Sequence, residues 1–176
     1  NKANYWGSLA SGTSVGVDDF ENASGLQYSD ILGLLDLNFI NPTQNIVIQH
    51  DDLSCNTETQ HIINLSAAVF DRMHRFIRLW RKTSFAMNEL NALIMSPMLG
   101  NGQIAPALAI GLQYFIQLQK AWSLDVFDLL AFYQDIDTGG SDNLYNQLFQ
   151  NKAVTNPVNP DFSIAKVTTG SLSITP

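Results

Sequence analysis

The chain has 176 residues, enough for one domain with a real core and little room for two. Hydrophobic residues make up an ordinary 45%, but charged residues only 14%, against a usual share of about 25%. Asn, Gln, Ser and Thr take their place, and a surface more polar than ionic suits a piece that packs against other protein. A net charge of −7 and a pI near 4.6 argue against a broad nucleic-acid footprint, which needs a basic face.

A single cysteine, Cys55, excludes an internal disulfide framework and a cysteine-based zinc site. No apolar run approaches the roughly 18 residues of a membrane span, and no leader-like segment opens the sequence. Asn1 stands where a start Met is expected, which points to a piece of a longer protein.

In chain order, residues 1–16 are Gly- and Ser-rich and read as a loop or arm. Val17 to Ala23 reads as a short helix with Asp18 and Asp19 in its first turn and Gly25 just past its end. Tyr28 to Leu37 is its partner helix, with Ile31, Leu34 and Leu35 on one side, and Asn41-Pro42 ends it. Asn45 to His50 alternates, with Ile46 and Ile48 on one face, and Gln60 to Leu65 carries Ile62 and Ile63. These predict a small antiparallel hairpin near 45–65, although Thr57 and Gln60 also fit a capping box that would start a helix earlier.

Ser66 caps the best helix, to about Lys82, whose Met73, Phe76, Ile77 and Trp80 follow helical spacing. Phe85 to Ile94 is the next helix, followed by a break at Ser96-Pro97 and Gly100-Asn101-Gly102. Pro106 opens a helix to about Trp122, Ser123 caps another to Tyr133, and Ser141 or Asp142 caps a last one to about Phe149. Residues 163–176 read as an extended tail.

One spacing recurs three times: Phe20, Leu26, Ile31, Leu34; then Leu79, Phe85, Leu90, Leu93; then Ile116, Trp122, Phe127, Leu130. Each copy fits the end of one helix, a tight turn and a second helix packed back on it. Such a unit cannot bury its apolar stripe alone and needs neighbours. The predicted fold is therefore mainly α, an array of helix-turn-helix units over residues 17–162 with the one hairpin.

Several stretches imitate functional motifs. Gly12-Thr13-Ser14-Val15-Gly16 matches the nucleophile elbow, but a polar arm precedes it and no large α/β sheet can be built around it. Gly100-Asn101-Gly102-Gln103-Ile104-Ala105 matches a dinucleotide fingerprint without the strand that must precede it, so a helix connector is the better reading. Asp135 and Asp137 occupy positions one and three of a calcium loop, with Gly140 at six, but Asn146 stands where the closing Glu is needed. A loop whose Asp side chains bond backbone amides is favoured over a metal site.

His50, His61 and His74 share no metal spacing; His50 beside Asp51 and Asp52 suggests a local pair. Arg72, Arg75, Arg78 and Arg81 could bind phosphate or an anionic lipid, but salt bridges to Asp71 and Glu89 are the favoured use. Asn22-Ala23-Ser24 and Asn64-Leu65-Ser66 are formal glycosylation sequons. No catalytic residue, cofactor site or metal site is assigned.

The segment from Phe70 to Lys82 closely resembles part of the A subunit of the Tc toxins, large insecticidal toxin complexes of insect-associated bacteria. Phe132 to Asp137, followed by Ser141, Leu144, Tyr145, Leu148 and Phe149, resembles a later piece of that subunit, and Phe39-Ile40-Asn41-Pro42 and Cys55 sit where the family places similar residues. The likeness runs in order from about Gly16 to Phe162; Ala86, where a capping Ser or Thr is expected, and the tail from Lys166 depart from it.

The resemblance implies a secreted or bacterial-surface virulence protein whose A subunits form pentamers, with an α-helical shell around a translocation channel that injects a toxic enzyme. The matched segment would belong to the shell, partnered by other domains and copies of the subunit, with a host receptor or glycan as a possible further partner. A glycosidase would need an arginine triad, an Asp box or a Tyr nucleophile arrangement, and the sequence shows none. The alternative class is a receptor- or carbohydrate-binding module, for which Tyr5, Trp6 and Tyr28 would have to form an exposed aromatic cluster.

Overall fold

The computed structural model describes residues 13–52, 56–136, 138, 143–153 and 156–163. It is about 52% helical with a small three-stranded antiparallel sheet, a mixture of helix and sheet. Two compact units emerge, the first ending at Tyr114 and the second beginning at Phe115.

The described part of the first unit opens on a strand at the end of the expected arm. Strand β1 (Thr13–Gly16) runs directly into helix α1 (Val17–Ser24), and helix α2 (Tyr28–Leu35) follows. Gly25 ends α1 in the left-handed conformation, φ 65°, and donates its N–H to the Glu21 carbonyl at 2.7 Å. That is the glycine cap anticipated from the sequence. At the start of α2, the Asp30 carboxylate accepts the Gln27 N–H at 3.1 Å, tying down an amide that the helix itself leaves unpaired.

Strand β3 (Gln60–Leu65) is the centre of the sheet, with β1 on one side and β2 (Ile48–His50) on the other. The β2–β3 pair is the expected hairpin, with Ile48 opposite Ile62 and His50 opposite Gln60. The competing early helix shrinks to a single 3-10 turn, Thr57–Thr59, opened by the Asn56 side chain accepting from the Glu58 N–H at 3.1 Å.

Against β1 the register slips by one residue: Val15 faces Ile62, yet Thr13 faces Leu65. Asn64, at φ 63°, absorbs the extra residue as a bulge, and its side chain donates to the Asn45 carbonyl at 2.7 Å. The consequence lies in the core. Strict alternation after the buried Ile62 would turn Leu65 outward; the bulge brings it back inside, fully buried.

Ser66 caps helix α3 (Ala67–Trp80) by accepting the Val69 N–H at 3.3 Å, as the sequence indicates. Its phase differs from expectation. The buried stripe is Val69, Phe70, Met73 and Phe76, whereas Ile77 and Trp80 are only half-buried. Trp80 therefore flanks the core and does not end it. Helix α4 (Met87–Met95) begins with half of a capping box: Glu89 accepts the Ala86 N–H at 2.7 Å, while Ala86 has no side-chain oxygen to return the bond.

Helix α5 (Pro106–Trp122) starts at its proline as predicted. Ser123, expected to cap the next helix, instead ends α5 with φ 54°, and Asp125 takes the N-cap position of helix α6 (Val126–Leu130). In the first copy of the recurrent spacing all four residues are buried; in the second, three are, with Leu79 half-buried. The third departs from the pattern: Leu130 is buried, but Trp122 and Phe127 are exposed.

Candidate functional site

The exposed end of that third copy builds the most distinctive surface of the second unit. Val126, Leu129 and Leu130 turn the i, i+3, i+4 face of α6 inward. Phe127 is consequently held at the surface, 47% exposed, with Asp128 half-buried beside it. In the turn after α6, Tyr133 packs its ring 5.5 Å from that of Phe115, which pushes Phe132 outward to 67% exposure. Phe132 lies 5.9 Å from Trp122, itself 53% exposed, so two large aromatic rings meet at the surface.

Across from α6, Asn143 organises the next segment. Its side-chain oxygen accepts the Asn146 N–H at 2.7 Å and its amide donates to the Thr138 carbonyl at 3.2 Å. Ser141 and Asp142, the expected caps of this segment, lie outside the described residues. A π turn, Asn146–Gln150, follows. Tyr145 donates its hydroxyl to the Phe162 carbonyl at 2.9 Å, and Phe149 stacks between Tyr145, at 4.8 Å, and Phe162, at 5.5 Å.

Between these pieces lies a cleft of about 260 Å³ walled by Phe127 and Asp128, by Gln134 and Asp135, and by Leu144 and Gln147. Two carboxylates, two amides and an aromatic ring form a lining suited to a cationic or hydrogen-bond-donating group. Among the described residues, the lining contains no histidine, cysteine or hydroxyl nucleophile.

The residues singled out in the sequence separate into distinct fates. Asp135 is exposed on the cleft wall, while Asp137, its calcium-loop companion, lies outside the described residues together with Cys55, Tyr5 and Trp6. Among the described residues, no three His, Cys, Asp or Glu side chains converge on a metal position. Ser14 sits exposed within β1, not in the turn between strand and helix where an elbow nucleophile belongs.

The G-x-G-x-x-A stretch is a helix terminator. Asn101, at φ 46°, donates to the Ser96 carbonyl at 2.8 Å, and Gly102, at φ 72°, donates to that of Ile94 at 2.9 Å.

The expected histidine pair is corrected: Asp51 bonds His61 at 2.9 Å across the hairpin, not His50 beside it. The register explains this, because His61 sits opposite Gln49, two residues from Asp51.

Of the expected salt bridges, the one between Arg75 and Asp71 forms, while the arginines of this stretch otherwise bond backbone carbonyls. Arg72 donates to the Ile40 carbonyl at 2.9 Å, and Arg81 to those of Ser24, at 2.8 Å, and Gly25, at 3.3 Å. Arg75 donates to the Ile104 carbonyl and lies 3.9 Å from Asp71. Three arginines thus fasten three loops to one helix, and Glu89 serves a backbone amide instead of an arginine. Sequence reasoning missed this because a carbonyl partner leaves no mark in residue identity.

Comparison of the chain with family models, with curated proteins and with solved structures gave no match. The functional reading therefore rests on the chain's own sequence and surfaces.

Proposed function

We propose that this chain is a non-catalytic structural segment of a larger assembly, a shell piece of a Tc-type toxin A subunit, in which its helix-turn-helix units continue a helical array. On this reading it is secreted or displayed at a bacterial surface, and its partners are other domains and copies of the same subunit. The observation that carries it is the imbalance of the second unit. Among the described residues that unit buries Phe115, Val126, Leu129, Leu130 and Tyr145, while Trp122, Phe127, Phe132, Leu148, Phe149 and Phe162 stay exposed. A domain that functions alone rarely leaves so much large apolar surface in water. The low charge fraction and amide-rich composition fit the same purpose.

The test is to recover the reading frame on both sides and to express the extended protein. The reading expects several times more chain, with a long coiled channel region downstream, and Trp122 fluorescence that is less quenchable by iodide in the longer protein than in this segment. A frame that closes within a few residues of Asn1 and Pro176, or a Trp122 equally accessible in both, would overturn it.

The Trp122–Phe132 pair favours the alternative of a glycan-binding module, since paired aromatic faces are a usual sugar platform. Saturable binding on a glycan array that Trp122→Ala removes would establish that alternative.

A further inference from the structure

The basic residues of this chain are gathered in one place. Of its 9 Lys and Arg, Arg72, Arg75, Arg78, Arg81 and Lys82 lie within a single stretch at the end of α3. Arg72, Arg75 and Arg81 are engaged with backbone carbonyls. Arg78 is exposed, one helical turn beyond Arg75, and no hydrogen bond among the described residues holds its side chain. The second unit has the opposite character. Asp125, Asp128, Asp135, Asp137, Asp142 and Asp161 are set there against Lys120, Lys152 and Lys166. Two of those acids face the cleft beside the exposed ring of Phe127.

We propose that the cleft of one copy receives the Arg78 ridge of a second copy. This deepens the assembly reading above and rests on it for the identity of the partner. The cleft, at about 260 Å³, is large enough for a guanidinium and part of its stem. Asp128 and Asp135 supply the carboxylates that a planar, permanently charged guanidinium pairs with, and Phe127 supplies an aromatic surface on which it stacks. Lys82, exposed four residues further along the chain, adds a second positive charge to the stretch. Because the two surfaces differ, the pairing is always ridge to cleft, whether it is made reciprocally in a dimer or in succession from copy to copy. An interface built on a few rim charges and a small aromatic patch is weak and sensitive to salt.

The experiment uses the full 176-residue chain. Sedimentation velocity is measured up to about 100 μM, the range in which a small interface becomes visible, and salt is raised from about 20 to 300 mM, where screening shortens from beyond 20 Å to below 6 Å. The expected result is concentration-dependent association that recedes with salt. Arg78→Glu and Asp128→Lys, each confirmed as folded by circular dichroism, should each weaken it by about tenfold or more through like-charge contact. The double variant should regain it, and so should an equimolar mixture of the two single variants, because the ridge of each is then complementary in charge to the cleft of the other. If Asp128→Lys does not fold, Asp135→Lys replaces it on the same wall. Purely monomeric behaviour at low salt, association indifferent to both reversals, or a folded double variant that stays monomeric would each overturn the contact. None of these outcomes alters the flanking-sequence test of the assembly reading, so failure of one is distinguishable from failure of the other.

Discussion

Asn41 is 1% exposed, an unusual position for a polar side chain in a loop. Its amide nitrogen donates to the carbonyls of Leu35 and Ile46, each at 2.9 Å, and its oxygen accepts the Ile46 N–H at 3.1 Å. One side chain therefore satisfies the backbone between α2 and β2, and Gln44, at φ 52°, adds a bond from its own amide to the Asn41 carbonyl at 2.9 Å. Asn41→Ala should destabilise the protein by about 3–5 kcal/mol, because it leaves two buried carbonyls and one buried N–H without partners. Urea unfolding measures it, and a loss under about 1 kcal/mol would mean that water replaces the amide at this site. In the sequence Asn41-Pro42 reads only as the end of a helix. Polarity argues for exposure, and nothing in residue type shows that three backbone groups will converge on one amide. Trp80 gives the converse case: a large aromatic at helical spacing reads as core, but the stripe of α3 is centred on Phe76 and leaves Trp80 half-buried at its flank.

At the scale of elements, the helix starts were legible wherever a local side chain or a ring fixes them. Ser66 before α3, Gly25 after α1 and Pro106 at the head of α5 all act as their chemistry dictates. What was hidden depends on distant partners: β1 exists because β3 offers it an edge, and the bulge at Asn64 exists because Leu65 must face inward. The connection after α4 separates two kinds of glycine. Gly100 is pressed against the last turn of α4, where an added Cβ would come within 2.7 Å of the Ile94 Cα and 2.8 Å of its carbonyl carbon. Gly102 has a positive φ of 72° but open space around it. Gly100→Ala should then cost about 2–4 kcal/mol through backbone displacement, and Gly102→Ala only the conformational penalty of about 1–2 kcal/mol. Thermal unfolding of the two variants side by side checks the order. A Gly102→Ala protein less stable than Gly100→Ala would show that conformation, and not close approach, governs this turn.

At the scale of the whole molecule, the length suggested one domain, while the described chain forms two compact units with the division inside α5. A continuous helix carries no linker signature, so composition could not reveal it. The candidate surface was half legible: the recurrent spacing placed Trp122 and Phe127 correctly at a helix–turn–helix junction but assigned them to a core. On the proposed reading, the missing information is a neighbour against which the third copy would pack. The two units should accordingly differ in how they open. β3 and α3 are lined by Ile62, Leu65, Met73 and Phe76, all essentially inaccessible, whereas α6 rests on Val126, Leu129 and Leu130 with exposed rings on its other side. Native-state hydrogen exchange should place the β3 and α3 amides at the global unfolding free energy and those of α6 and of 144–150 lower by about 2 kcal/mol or more, since local opening follows the density of buried apolar contact. Added surface should reverse that ranking selectively. When association is promoted at low salt, protection should rise in α6 and around Asp135 while β3 stays unchanged. Equal protection of α6 and α3 in the dilute chain would show that the second unit is stable with its aromatic face in water, and the case for a missing neighbour would fall with it.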